Sequence, residues 1–265
     1  MPIVYACIAP HGGNLLLGED APGPVPECRR AMARMRETLR ASGAESIAIL
    51  TPHGTYQRGT ITLGMTPTGY GEHGPAQVST QTDLDLAAAW AYRASELGVP
   101  VSPLAGQAEG EVLPLDWGVT IPLALLSPPP STLPAVVACP ARDLSRPQLI
   151  AWGEALVSAS NETGRRVALI VSADQGHGHA ADGPYGFTPV STEYDAAMKA
   201  AVEANDLPRL LDWPEDYAET ALADSYWQTL ALVGVQKHLP MTAELLSYEV
   251  DHYFGLLCAE FLPAE

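Results

Sequence analysis

Short runs of consecutive apolar residues recur along the chain, and most of them end in a segment rich in proline, glycine or polar residues. Runs of this length are typical of strands that are buried on both faces of a parallel sheet. The pattern predicts strands at 3–8, 46–50, 60–64, 99–103, 135–138, 167–171 and 245–248.

Apolar residues at helical spacing predict helices between these strands. The predicted helices are 26–42, 82–97, 149–163, 191–205 and 224–235. Two apolar segments stay ambiguous between helix and strand, namely 115–126 and 254–261. Strands that alternate with helices predict one α/β domain over residues 1–265, with a central, mostly parallel or mixed sheet flanked by helices.

Two strand ends carry the same short motif. The first predicted strand ends in Pro10-His11-Gly12 and the second in Pro52-His53-Gly54. Because a helix joins these strands, we expect them to be parallel and close in space, with both histidines in one crevice at the carboxyl ends.

A carboxylate could complete this site, since Glu249 and Asp251 follow the last predicted strand. Two imidazoles and one carboxylate form the facial triad by which non-haem Fe(II) enzymes bind both a substrate and O₂. The residues themselves leave the choice between Glu249 and Asp251 open.

The segment after the strand 167–171 is predicted to form a wall of an active site, because five residues with side chains suited to catalysis or binding lie close together there. They are Asp174, His177, His179, Asp182 and Tyr185. His177 and His179 are candidates for proton transfer, since the imidazole pKa suits it. Asp174 or Asp182 could orient His177, and Tyr185 and Trp117 either line an aromatic pocket or pack in the core.

Composition narrows the function classes. Lys and Arg total 14 against 31 Asp and Glu, which gives a net charge of −17 and disfavours nucleic acid and anionic membranes as partners. The apolar run at the N-terminus lacks the basic region of a signal peptide, so we expect a cytoplasmic protein. The four scattered cysteines predict buried, reduced thiols.

Several motifs together resemble the class III extradiol ring-cleavage dioxygenases, the family of the protocatechuate 4,5-dioxygenase β subunit and of 2-aminophenol and DOPA dioxygenases. The resemblance runs nearly end to end, and the order and spacing of the motifs make it specific. They are the two Pro-His-Gly units, Leu115-Asp116-x-Gly118 before Pro122-Leu123, Ser172-Ala-Asp-x-x-His177, Asp182-Gly-Pro-Tyr185-Gly-Phe187 and Ser247-Tyr248-Glu249.

The resemblance implies that His11, His53 and Glu249 hold Fe(II) and that His177 is the catalytic acid and base. It also implies a crevice in an α/β fold, a homo-oligomer with a possible small partner subunit, and O₂-dependent opening of a catechol or aminophenol to a muconic semialdehyde. Many relatives carry Asp-His-Gly where this chain has Asp116-Trp117-Gly118, so the substrate stays open.

Two other functions fit the same residues. A zinc-dependent hydrolase could use two histidines, a carboxylate and a bound water, and Zn or Mn could replace Fe(II). A non-catalytic interaction protein could share the scaffold, since a fold alone does not prove catalysis.

No Lys or Arg is adjacent to the motifs, which favours an uncharged or amine-bearing catechol as the substrate of a dioxygenase.

Overall fold

The computed structural model describes residues 2–105, 111–130 and 132–264, and its strands form two sheets. In chain order the strands are β1 (Ile3–Ala9), β2 (Ser46–Leu50), β3 (Ile61–Gly64), β4 (Thr68–His73), β5 (Ala76–Gln81), β6 (Val101–Leu104), β7 (Val112–Pro114), β8 (Ala135–Pro140), β9 (Val167–Ser172), β10 (Met241–Asp251) and β11 (Phe254–Pro263). The helices are α1 (Pro26–Ala41), α2 (Leu84–Glu96), α3 (Trp117–Leu126), α4 (Arg146–Thr163), α5 (Pro189–Glu203), α6 (Tyr217–Thr220) and α7 (Tyr226–His238).

The larger sheet has eight strands in the order β10-β11-β1-β9-β2-β8-β3-β6, and the smaller one has the order β5-β4-β7. The strands β1, β9, β2 and β8 are parallel neighbours, whereas β11 runs antiparallel to β1. The expected parallel relation of β1 and β2 is therefore correct, but β9 lies between them. The carboxyl ends of all three central strands meet at one edge of the sheet.

Helices cover both faces of the large sheet, which explains the continuous apolar runs of its central strands. In β9, Val167, Leu169 and Val171 pack into the core beneath α2, α4, α5 and α7. Ala168 and Ile170 point to the opposite face and pack with α1 and α3. The predicted α/β domain with a mixed sheet flanked by helices is confirmed.

Four segments differ from the prediction or resolve an ambiguity in it. Residues 68–81, for which no strand was predicted, form the hairpin β4–β5, and Gly71 is needed there because a Cβ would lie 2.7 Å from the Leu115 carbonyl oxygen. The segment 115–126 becomes helix α3, and 254–261 belongs to strand β11. The last predicted strand is much longer than expected, since β10 begins at Met241 and ends at Asp251.

Two further expectations concern burial and membranes. The four cysteines are free and buried, as predicted. Within the described ranges, no helix combines the length and the apolar character that crossing a bilayer requires.

Candidate metal centre and active-site cavity

Three side chains converge at the carboxyl edge of the central strands: His11 after β1, His53 after β2, and Asp224 just before α7. The two histidine Nε2 atoms are 3.0 Å apart. Asp224 Oδ2 lies 3.1 Å from His53 Nε2 and 3.5 Å from His11 Nε2. Each of the three residues thus presents one donor atom to a common point.

The spacing and chemistry of these donors fit a divalent metal ion. Protein nitrogen and oxygen ligands bind such ions at about 2.0–2.2 Å, so neighbouring ligands of one ion lie roughly 3.0–3.5 Å apart. The three measured separations fall in that range. In the described part of the chain, Asp224 Oδ2 is buried and has no hydrogen-bond partner. A buried carboxylate oxygen needs a partner, and a metal ion would supply one.

Contacts from the end of the neighbouring strand β9, and from the residues after it, orient His11. Its Nδ1 lies 2.9 Å from Ser172 Oγ at the end of β9, and its backbone N–H donates to Asp174 Oδ1 at 2.9 Å. These contacts direct Nε2 toward the other donors. Hydrogen bonds of this kind fix the ring orientation of a metal-ligating histidine.

The start of α3 supports His53. Thr51 Oγ1 accepts from the His53 backbone N–H at 3.2 Å and donates to Asp116 Oδ1 at 2.8 Å. The Trp117 ring stacks on the His53 ring with centroids 4.2 Å apart. Gly118 permits this close approach, because a Cβ there would lie 2.7 Å from Thr51 Oγ1. The motif Asp116-Trp117-Gly118 therefore positions a candidate ligand.

The two carboxylate oxygens of Asp224 have different surroundings. Oδ1 accepts from the Asp174 backbone N–H at 2.9 Å, and Gln228 Nε2 donates to the Asp224 carbonyl oxygen at 2.6 Å. Oδ2 is left to face the histidines. The turn before α7 is thereby tied to the end of β9.

The electrostatics of the cluster depend on two buried carboxylates. Burial alone would lower the pKa of His11, but the charges of Asp174 and Asp224 outweigh it and raise that pKa to about 9. Burial raises the pKa of Asp174, whereas in Asp224 the two histidines overcome the effect of burial and hold the pKa well below its usual range. Opposed shifts within one cleft are typical of functional sites.

The structure places the predicted third ligand away from the two histidines. Glu249 Oε2 accepts from the Cys28 backbone N–H at 2.7 Å, in the first turn of α1, and Asp251 accepts two hydrogen bonds from Asn14. The prediction assumed that a strand ends at 248, but β10 continues to Asp251, so Glu249 lies inside an edge strand rather than beyond its end. The carboxylate beside the histidines is Asp224.

A cavity of about 230 Å³ opens onto the two histidines. Its walls are mainly aromatic and imidazole rings, and no Lys or Arg is among the lining residues that the structure describes. The lining comprises His11, Gly12, Gly13, His53, His73, Trp117, Asp174, His177, Tyr185, Tyr253 and Phe254.

His177 belongs to this wall. Its ring stacks on Phe254 with centroids 5.5 Å apart and meets Tyr185 edge-on at 6.0 Å. Its Nδ1 is buried and has no hydrogen-bond partner among the described residues. Packing rather than hydrogen bonding therefore holds the imidazole.

The other candidates separate into two groups. Asp174, Trp117 and Tyr185 line the cavity. His179 does not: its Nε2 lies 2.8 Å from Asp195 Oδ2, behind the cavity wall. Asp182 is on the surface beside His252, 3.1 Å from its Nε2, and makes no contact that would orient His177.

Two residues of the candidate site were not predicted, and only Asp224 left a weak signal in the sequence. Asp224 immediately precedes a wholly buried segment at the start of α7, where an acidic residue needs a partner. His73 ends β4 and reaches the cavity wall, but no strand was predicted in this part of the chain.

Comparisons with known proteins agree with this geometry. Residues 5–254 match the family described as "Catalytic LigB subunit of aromatic ring-opening dioxygenase". No curated protein matches the chain significantly. Among solved structures, the crystal structure of the uncharacterized protein JW3007 from Escherichia coli K12 is similar in fold, with a TM-score of 0.62 and 16% identity over 97% of this chain and 99% of that one.

Proposed function

The chain belongs to the family of the catalytic LigB subunit of aromatic ring-opening dioxygenases, and on that premise we propose that it is a non-haem Fe(II)-dependent extradiol dioxygenase. Its substrate is a catechol or an aminophenol, and its product is a muconic semialdehyde or the corresponding amino compound. The observation that carries the proposal is the cluster of His11, His53 and Asp224, which opens onto an aromatic cavity that also contains His177.

His11, His53 and Asp224 would hold the iron. Two neutral imidazoles and one carboxylate leave further coordination positions open toward the cavity. When bound, Fe(II) supplies a site at which the ring and O₂ meet and through which electrons pass from the ring to oxygen. Ser172 and Thr51 keep the two histidines oriented for this task.

His177 moves the protons. Its imidazole accepts a proton from a substrate hydroxyl as the ring binds, and it returns a proton as the ring opens next to the diol. Both oxygen atoms of O₂ end in the product, so no group leaves and no external reductant is needed. Phe254 stacks on the face of this imidazole and Tyr185 meets it edge-on.

The cavity supports a small substrate without a carboxylate. A volume of about 230 Å³ lies below the range of roughly 300–1,000 Å³ that is usual for drug-sized ligands, so a single ring fits best. Among the described lining residues, the buried Asp174 is the only Asp or Glu, and there is no Lys or Arg. Because a ring carboxylate would have no cationic partner, an uncharged or amine-bearing catechol is the favoured substrate.

The test is anaerobic reconstitution with Fe(II), followed by air and a panel of catechols and aminophenols. We expect oxygen uptake together with a visible chromophore of the ring-opened product. Both signals should vanish in His11→Ala, which loses the metal, and in His177→Ala, which keeps it.

A protein that retains zinc in preference to iron and consumes no oxygen with any diol or aminophenol would contradict the proposal. That result would favour a zinc-dependent hydrolase, which uses the same donor set. Zinc-reconstituted protein is therefore the matched control in the oxygen experiment.

A further inference from the structure

A buried carboxylate on α5 lies behind the cavity wall and has no part in the metal cluster. The Asp195 side chain is 1% exposed. Its Oδ1 accepts from the Gly176 backbone N–H at 2.7 Å. Its Oδ2 lies 2.8 Å from His179 Nε2 and accepts from the Tyr248 hydroxyl at 2.7 Å.

These contacts bracket His177. Gly176 precedes it directly and His179 lies two residues after it, so one carboxylate holds the chain on both sides of the imidazole. The side chain of Asp195 also packs tightly against the backbone of β11, since a Cβ at Gly255 would overlap its carboxylate. The third partner, Tyr248, belongs to β10 and joins the segment to the edge of the large sheet.

Backbone hydrogen bonds tie the same segment to the β10–β11 hairpin. Gln175 N–H donates to the Gly255 carbonyl at 2.8 Å, and Gly255 N–H donates to the Gly176 carbonyl at 3.0 Å. His179 N–H donates to the Tyr253 carbonyl at 3.0 Å. The hairpin thus fixes the backbone near His177 and also supplies the rings that pack against it.

The imidazole of His177 depends on this support, because its own Nδ1 has no hydrogen-bond partner within the described ranges. Its place over the cavity follows from the backbone of the segment 175–179 and from the aromatic rings around it. Hydrogen bonds to a carboxylate are stronger than those between neutral groups, and a buried carboxylate that loses its donors is costly. A single change at Asp195 would therefore loosen the segment.

We propose that Asp195 is a positioning residue for ring opening: it fixes the segment 175–179, and thereby the His177 imidazole, through Gly176, His179 and Tyr248. This inference rests on the proposed role of His177 in proton transfer. Asp195 touches neither the substrate nor the metal ligands, so its contribution affects turnover rather than metal binding.

The experiment compares Asp195→Asn, Tyr248→Phe and the wild type, all loaded with Fe(II). A displacement of about 1 Å at a catalytic group can cost about 100-fold in rate, so we expect kcat to fall roughly 10- to 100-fold in Asp195→Asn. KM and metal content should stay within about twofold, because the metal cluster and cavity walls remain. Tyr248→Phe removes one donor and should show a smaller loss of kcat.

Amide hydrogen exchange gives a readout that does not depend on turnover. The amides of residues 175–179 should exchange faster in Asp195→Asn, and the His177 ring signal in NMR spectra should shift or broaden. Asp83→Asn is the matched control, since the Asp83 carboxylate is also largely buried and accepts from a backbone and a side-chain donor, Leu86 N–H and Arg165 Nε. Asp83 directly precedes α2 and does not line the cavity. It should lower stability without changing kcat or the exchange of 175–179.

The inference is overturned if Asp195→Asn keeps wild-type exchange in 175–179, or if its kcat equals that of the Asp83→Asn control. Loss of metal in Asp195→Asn would overturn it as well, because the residue would then support the cluster. If Asp195→Asn does not fold, Tyr248→Phe carries the same comparison. Failure of the wild type to open any ring would contradict the proposed function instead, while exchange and the His177 signal would still decide the positioning role.

Discussion

The cavity has two halves that are built in different ways. On one side, His11 and His53 follow parallel strands of the same sheet. The strand between them, β9, ends in Ser172, and Ser172 and the following Asp174 contact His11. On the other side, His177 lies in a segment without regular structure, which contacts from α5 and the β10–β11 hairpin hold in place.

This difference separates two functions of the site. The positions of the proposed ligands His11 and His53 are a property of the central sheet, whose central strands are fully buried. The geometry of proton transfer depends on side chains that are distant in sequence. We therefore expect substitutions in the first half to change metal binding, and substitutions in the second half to change turnover at constant metal content.

The largest expected effect comes from Asp224, the proposed third ligand. Asp224→Ala removes an oxygen that faces both histidines, so metal affinity should fall by more than the roughly 10- to 100-fold that is typical of a lost supporting hydrogen bond. Glu249→Gln should keep full metal content, because Glu249 is engaged with the Cys28 backbone. Metal analysis after dialysis distinguishes the two carboxylates, and loss of metal in Glu249→Gln would restore the original prediction.

The next effect belongs to the other half of the cavity. His177→Gln should lower kcat about 10²- to 10⁴-fold, the usual contribution of a general acid and base, while metal content stays at the wild-type value. Oxygen uptake and metal analysis on the same preparation check this. An equal loss of metal and activity would mean that His177 acts as a ligand and that the two halves are not separate.

The two halves also differ in how far the sequence predicts them. His11 and His53 were predicted because a strand, a proline, a histidine and a glycine follow one another locally, and the helix between the strands fixes their direction. The fold class follows from the same alternation of apolar runs and helical spacing. Local patterns of this kind survive folding because the central sheet is formed from them.

The missed residues depend on contacts between distant segments. Asp224 follows no strand, and it reaches the cluster only because the Asp174 backbone binds its Oδ1. Asp195 lies within an amphipathic helix, where a polar residue on the inner face is visible only once the neighbouring segments are in place. Glu249 was misplaced for a related reason, since the end of a strand is less certain from sequence than its existence.

A smaller effect tests how β9 supports the ligands. Ser172→Ala removes the hydroxyl 2.9 Å from His11 Nδ1 and should weaken metal binding about 10-fold, at the lower end of the range for such supporting contacts. Turnover per bound metal should change little, because His177 and its partners are untouched. Competition with a chromophoric chelator measures the affinity, and an unchanged value would show that the strand alone orients His11.

The pH dependence of metal binding follows from the pKa of His11, in the same half of the cavity. With a pKa of about 9, His11 carries a proton at neutral pH in the metal-free protein, and a metal must displace it. Metal affinity should therefore fall about tenfold for each pH unit below about 9, since one proton is released. In Asp174→Asn, which lacks one of the charges that raise this pKa, the slope near pH 8 should be shallower; identical slopes would contradict the assigned cause.

The smallest effect concerns the wall that the two halves share. Trp117 stacks on His53 and also faces the cavity. Aromatic stacking contributes about 0.5–1.5 kcal/mol, so Trp117→Ala should raise KM for a neutral catechol about two- to tenfold with unchanged metal content. Tyr92→Ala, which removes an exposed ring on α2 that does not line the cavity, is the control and should leave KM unchanged. If Trp117→Ala instead loses metal at constant KM, the ring serves to support His53 rather than to bind the substrate, and it belongs with the metal half of the site.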